Sequence, residues 1–206
     1  MKTVVVATQN EHKASEIAQI LAIDGWEFVP LAHLGILDAP CEDASTFEGN
    51  ARIKAQAAHR RTGHAALADD SGLVVDALDG APGIHSARYA SDADGTSDAN
   101  DGNDAANNIK LLAALEGIPL QQRTARFVCV IVFIDEDGSE VVAQGSCEGT
   151  IARGPQGDNG FGYDPLFQPA AFFGRCTMAT LPPAEKNVIS HRALALANLR
   201  SKLVGA

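Results

Sequence analysis

Long apolar runs, clustered cations and paired cysteines are all missing from this 206-residue chain. No stretch reaches the roughly 18 apolar residues of a membrane span. The apolar run in MKTVVVATQN is too short for a signal-peptide core, so the chain reads as cytoplasmic. Lys and Arg number 16 against 26 Asp and Glu, a net charge of -10. That balance excludes a protein that coats DNA or RNA, because gripping a phosphate backbone needs clustered cations. It leaves room for a small phosphate-bearing ligand, which needs only a few local ones. Cys41, Cys129, Cys147 and Cys176 show no CxxC spacing, so neither zinc nor a disulfide framework is indicated. They read as reduced, packed thiols. With a hairpin turning at Asp137-Gly138, Cys129 faces Ser146 rather than Cys147. The sequence shows no internal repeat.

What is present is an ordinary globular composition, 46% hydrophobic and 20% charged, in a length that suits one domain or two lobes on one core. TVVVAT reads as a buried strand, and Glu11 to Ala22 carry an apolar helical face. A short strand is expected at 27 to 31, and a helix from about Thr46 to Thr62, capped by Ser45 or Thr46 and stopped at Gly63. AALAD and LVVDAL read as two strands meeting at DDSG. Asp104 is placed to cap a helix through Leu115. TARFVCVIVFI and EVVAQGSCEG form a hairpin through DEDGS, and a last helix follows Ser190. Interleaved strands and helices with a late hairpin predict an α/β fold on a mixed sheet. The acidic segment at about 91–104 offers Asp and Asn oxygens of the kind calcium favours, but it lacks the Glu of an EF-hand loop. It reads as a mobile, solvated surface loop.

Four stretches carry chemistry. ATQNEHK, residues 7–13, ends a strand and opens a helix whose free N–H groups and Lys13 would attract an anion, although no Walker A loop is present. LADDSG, residues 67–72, sets two carboxylates side by side at a strand end. A divalent metal would compensate them there, and a solvated turn is the plain alternative. GAPGIHSARYA holds His85 and Arg88 behind a fixed turn, and EKNVISHR puts His191 and Arg192 at a helix start, where the helix dipole is unhelpful to cations unless an acceptor is near. GFGYDPLF, residues 160–167, sets Phe161 between two glycines with Asp164 three residues on.

Together, ATQNEHK, LADDSGLVVDALDGAPGIHSARYA, GFGYDPLF and EKNVISHRALA resemble the inosine triphosphate pyrophosphatase family, in one consistent order over nearly the whole chain. The resemblance implies one domain over residues 1–206, with a long central mixed sheet flanked by helices and two lobes with the active-site cleft between them. It implies a homodimeric Mg²⁺ enzyme converting dITP, ITP and XTP to the monophosphate and pyrophosphate. By the same resemblance, Phe161 stacks on the purine within the motif Phe161, Gly162, Tyr163 and Asp164. Asp164 accepts from ring N1–H, and His191 and Arg192 donate to the C6 oxygen. Thr8, Gln9, Asn10, Glu11, His12 and Lys13, with Lys54, Ser71 and Lys186, take the triphosphate. Glu42 and Asp70 hold the metal, Asp70 is also the general base, and Asp69 supports it.

The chain departs from the family pattern in three places, one of them the acidic segment from Ser91 to Asp104, which is longer than usual. TFEGNARIKA has Gly49 where the family commonly has Glu, so no catalytic role is carried onto Glu48, and CEDAS is looser than the usual acidic run. Two other functions fit the motifs less well: a nucleotide sensor without turnover, and a phosphatase releasing orthophosphate. Asp69, Asp70, Lys13 and Lys186 standing together argue against the sensor.

Overall fold

Val4, Val5 and Val6 are all buried, so the first strand, β1 (Lys2–Val6), is covered on both faces, as its unbroken apolar run requires. A computed structural model describes residues 1–8, 11–91, 103–172 and 175–205, without the side chains of residues 11, 12, 15 and 16. The acidic segment expected to be mobile falls almost wholly outside the described residues, as do Gln9 and Asn10 and the side chains of Glu11 and His12.

The other strands are β2 (Trp26–Pro30), β3 (Ala65–Val75), β4 (Thr124–Ile134), β5 (Glu140–Ile151) and β6 (Phe167–Pro169), in the sheet order β2-β1-β3-β4-β5-β6. β1 runs parallel to β2 and β3, whereas β5 and β6 are antiparallel, which makes the sheet mixed. The helices are α1 (Glu11–Leu21), α2 (Phe47–Thr62), α3 (Asp104–Ala114), α4 (Pro183–Ile189) and α5 (His191–Val204). No helix among the described residues is long and apolar enough to cross a membrane.

The chain divides into two compact units. The first comprises Met1–Asp70, Cys129–Gly145 and Arg192–Ala206, and the second Ser71–Val128 and Ser146–His191. In the first unit, alternate strand residues feed two cores. Val4, Val6, Ala65 and Leu67 pack with Ile17 and Leu21 of α1 and Leu196 and Leu199 of α5. Val5, Ala66 and Ala68 pack with Ala51, Ala55 and Ala58 of α2. Alanines along that face of α2 let the helix lie close on the strands.

The second unit has one core, built on Leu73, Val75, Leu111, Leu115, Ile151, Leu166 and Phe167. Arg123 is buried beside it and donates to the carbonyls of Leu115, Ile118 and Ala152 at 2.7, 3.0 and 3.3 Å. The guanidinium thereby satisfies backbone acceptors just past the end of α3, which a buried helix end requires.

Several sequence expectations are corrected here. DDSG is no turn: β3 runs through it without a break, because ladder bonds to neighbouring strands outweigh the turn preference of Ser and Gly. The N-cap of α3 is Asn103, whose side chain accepts from Ala106 N–H at 3.1 Å, so Asp104 is already inside the helix. The β4–β5 hairpin pairs Asp135 with Ser139 and Arg123 with Ile151, a register that sets Cys129 opposite Gly145 rather than Ser146. The four cysteines are free thiols, but Cys41 is exposed rather than packed. α4 and β6 had no clear signal in the sequence.

Candidate active site

Because strand residues alternate, Asp69 and Asp70 leave β3 on opposite faces. Asp69 continues the row of Ala65 and Leu67 toward α1 and α5. Its buried carboxylate meets Lys13 Nζ at 3.4 Å, and Nε and Nη2 of Arg192 at 3.4 Å each. The Cys129 thiol lies 4.0 Å from the same oxygen, and burial first, then Asp69, pushes that thiol's pKa well up, keeping it neutral. Asp70 continues the row of Ala66 and Ala68 toward α2. There Lys54 Nζ is 3.0 Å from Asp70 Oδ1 and 3.0 Å from Glu42 Oε2, and Asn50 Nδ2 donates to Asp70 Oδ2 at 3.3 Å.

The two acids therefore meet different nearest cations, Lys13 and Arg192 for Asp69 and Lys54 for Asp70, while Lys13 also acts on Asp70 and Asp69 on Lys54. Burial raises the Asp70 pKa above the ordinary carboxylate value, and Glu42 adds to this while Lys54 opposes it. Burial alone would lower Lys54, but Asp70 and Glu42 outweigh it, so the ammonium is held charged.

Asn50 was missed in the sequence, although Asn50 and Lys54 are four apart and share a helical face. Gly49 beside it accepts no side chain without a shift: a Cβ there would lie 2.6 Å from Ala44 Cβ and 3.1 Å from Thr46 Oγ1. Glu48 turns outward to Arg52 at 2.7 Å, away from Lys54.

The glycine loop belongs to the second unit. Gly160 and Gly162 have φ of +79° and +62°, the left-handed region that disfavours side chains. A Cβ at Gly160 would also strike the Asp164 carboxylate and come within 3.1 Å of Lys186 Nζ. Between them Phe161 is held partly exposed, 37%, its N–H donating to Asp164 Oδ2 at 2.9 Å and its carbonyl accepting from Asp164 N–H at 3.2 Å. Lys186 Nζ lies 2.7 Å from the same Asp164 oxygen and 4.8 Å from the Phe161 ring centroid, a cation–π distance. Lys186 thus sits with Asp164 and Phe161 inside its own unit.

Tyr163 is buried and anchors the loop by donating to the Ser86 carbonyl at 2.8 Å. His191 stacks on Phe127, with ring centroids 4.8 Å apart and planes at 15°, while Arg192, the next residue, belongs with Asp69. Thr8 follows β1, its N–H bonded to Val6 O at 2.9 Å, and Ser71 follows Asp70 within β3. Loop positions 162 and 163 are bound from outside by α3 and Ser86, partners that sequence spacing gave no way to find.

The profile of the Ham1 family matches residues 4–202. A protein of Geobacillus kaustophilus called dITP/XTP pyrophosphatase is 49% identical over 201 residues, 97% of this chain and 93% of its own length. One of the same name from Haemophilus influenzae is 48% identical over 97% of this chain and 98% of its own. The solved HAM1 protein of Coxiella burnetii superposes with a TM-score of 0.86 at 41% identity, covering all of both chains.

Proposed function

The chain belongs to the Ham1 family, and on that premise we propose that it hydrolyses dITP, ITP and XTP to the nucleoside monophosphate and pyrophosphate, clearing deaminated purines from the nucleotide pool. The observation that carries this reading is the Phe161 loop: a part-exposed aromatic face, locked by glycines, with a buried Asp–Lys pair against it. Such a face takes any purine by stacking, and the polar groups beside it discriminate. Asp164 accepts from N1–H, which hypoxanthine and xanthine carry and adenine lacks, and Lys186 is near enough to Asp164 to join in reading the base. His191 and Arg192 donate to the C6 oxygen, where adenine presents a donor of its own. Buried donors left facing a donor go unpaired, which is the strong form of rejection.

Residues Thr8 to Lys13, Lys54 and Ser71 receive the triphosphate. Lys186 serves the triphosphate from beside Asp164, with which it pairs at 2.7 Å. Glu42 and Asp70 are hard oxygen donors gathered on one ammonium, a donor set that suits Mg²⁺, which commonly takes one or two carboxylates and completes its shell with substrate phosphates and water. Among the described residues no three His, Cys, Asp or Glu could hold an ion alone, so the phosphates would supply the rest. When bound, the metal neutralises charge on the phosphate oxygens.

Water adds across the anhydride between the α- and β-phosphates, and the proton it sheds passes to Asp70. The raised pKa of Asp70 suits it to hold that proton. Asn50, bonded to the other Asp70 oxygen, fixes the carboxylate's orientation. The protein acts as a cytoplasmic homodimer.

Incubation with Mg²⁺ and a panel of nucleoside triphosphates, with pyrophosphate and orthophosphate assayed separately, tests the reading. Pyrophosphate and monophosphate from ITP, dITP and XTP are expected. Orthophosphate as the first product, or binding without turnover, overturns it.

A further inference from the structure

Helix α3 makes two polar contacts to a single residue of the glycine loop, and neither serves the helix itself. Because Asn103 takes the capping bond, the Asp104 carboxylate is free to accept from Gly162 N–H, at 2.6 Å. One turn on, Asn108 Nδ2 donates to the Gly162 carbonyl at 2.9 Å. Residues four apart lie on one helical face, so α3 holds both backbone groups of the residue after Phe161.

The neighbouring Asn107 does a different task. It is buried, accepts from Ala90 N–H at 2.7 Å and donates to the Ala87 carbonyl at 3.0 Å, fastening the 83–90 segment with both ends of its amide. Asn108 uses only one end. Its Oδ1 is buried with no hydrogen-bond partner among the described residues, an arrangement that disfavours the fold. An aliphatic side chain would avoid that cost, so the bond to Gly162 is what the amide contributes.

We propose that Asp104 and Asn108 are positioning residues that fix how Phe161 is presented to the purine, and so set base affinity without entering the hydrolysis. The inference rests on the reading of Phe161 as the purine platform. The peptide between Phe161 and Gly162 carries the N–H that Asp104 accepts, while Asp164 holds the N–H and C=O of Phe161 itself. Releasing the α3 side frees the loop to turn the ring, with the phosphate-binding residues of the first unit untouched.

The test measures KM and kcat for ITP, inhibition by inorganic tripolyphosphate, and Tm, in the full chain with Mg²⁺. Asp104→Ala and Asn108→Leu should each raise KM for ITP between about 5- and 100-fold, the range that impaired stacking of the base produces. kcat should change by less than about two-fold, since the hydrolytic groups are undisturbed. Tripolyphosphate, which has no base, should inhibit as it does the parent. Asp104→Asn keeps an acceptor oxygen and should restore most of the affinity. Asn108→Leu should melt no lower than the parent, which separates positioning from folding. An unchanged KM in both variants overturns the proposal, as does a KM that rises in step with the tripolyphosphate inhibition constant. A parent that releases no pyrophosphate from ITP overturns the function as well, whereas an active parent with unaffected variants overturns the positioning alone.

Discussion

Asp70 in the first unit and Asp164 in the second each meet a lysine, at 3.0 and 2.7 Å, yet the two pairs are built from different materials. Asp70 stands on β3 and Lys54 on α2, so regular elements hold both ends, and Glu42 shares the ammonium. Asp164 stands on a loop, where the same carboxylate oxygen that meets Lys186 also accepts from Phe161 N–H. The first arrangement fixes a charge in space, as hydrolysis requires of a base. The second couples a charge to an aromatic face, as recognition requires. On the proposed reading the Asp70–Lys54 pair serves the chemistry and the Asp164–Lys186 pair the choice of base, and substitutions that separate those properties are the way to test the division.

The largest separation is expected at Asp70. Asp70→Asn keeps shape and Lys54 keeps Glu42, but the proposed proton acceptor is gone. Loss of a general base costs a factor of about 10² to 10⁴, and weaker metal binding adds to it. Steady-state kcat on ITP reads the loss, and near-normal turnover would place the base elsewhere. Asp69→Asn should fail differently. It leaves Arg192 buried without its carboxylate partner, and breaking such a pair costs on the order of 3 kcal/mol. Urea unfolding should show that loss, and a variant as stable as the parent would deny Asp69 its structural part.

A smaller effect is expected at the base. Phe161→Ala should cost about 1–3 kcal/mol of ITP affinity through lost stacking, leaving tripolyphosphate inhibition as it was. Loss of both together would mean that the ring supports the phosphate end.

The smallest effect concerns stability. The Asp70 pKa is raised in the folded chain, mainly by burial, so the folded state keeps this proton to higher pH than the unfolded state does. Stability therefore falls as pH climbs from the ordinary carboxylate value through the raised one, and the penalty is complete above it. Asp70→Asn removes the penalty. With EDTA present, the variant should melt at or above the parent at neutral pH, and the difference should close as the medium is acidified. A variant that melts lower at neutral pH would show that pairing with Lys54 outweighs burial.

How far the sequence revealed these two regions depended on the range of the forces involved. Local signals were sufficient for α2, where Thr46 caps and Gly63 terminates the helix, and for the last helix after Ser190. They were sufficient for the glycine loop too, because positive φ at Gly160 and Gly162 is a property of the residues themselves. They misled at DDSG, where turn-forming residues lie in a strand held by its neighbours. That error also hid the division of Asp69 from Asp70, since a turn would let both face one ion and a strand sends them to opposite sides. Motif order pointed Lys186 and Arg192 to a ligand but could not reveal the protein groups that also hold them, Asp164 and Asp69, which lie 22 and 123 residues away. The work of Asp104 and Asn108 was not legible either. Their shared partner is backbone 54 to 58 residues off, which no spacing rule reaches.

The measurement that bears most directly on the account is kcat/KM for ITP against ATP in the parent enzyme with Mg²⁺. The two nucleotides carry the same triphosphate and sugar and differ only at the purine, so their ratio isolates what the second unit and the His191–Arg192 pair contribute. On the proposal that buried polar groups read N1 and the C6 substituent, the ratio should favour ITP by about 10⁴ or more. Comparable values for the two would contradict the base-reading roles proposed for Asp164, His191 and Arg192.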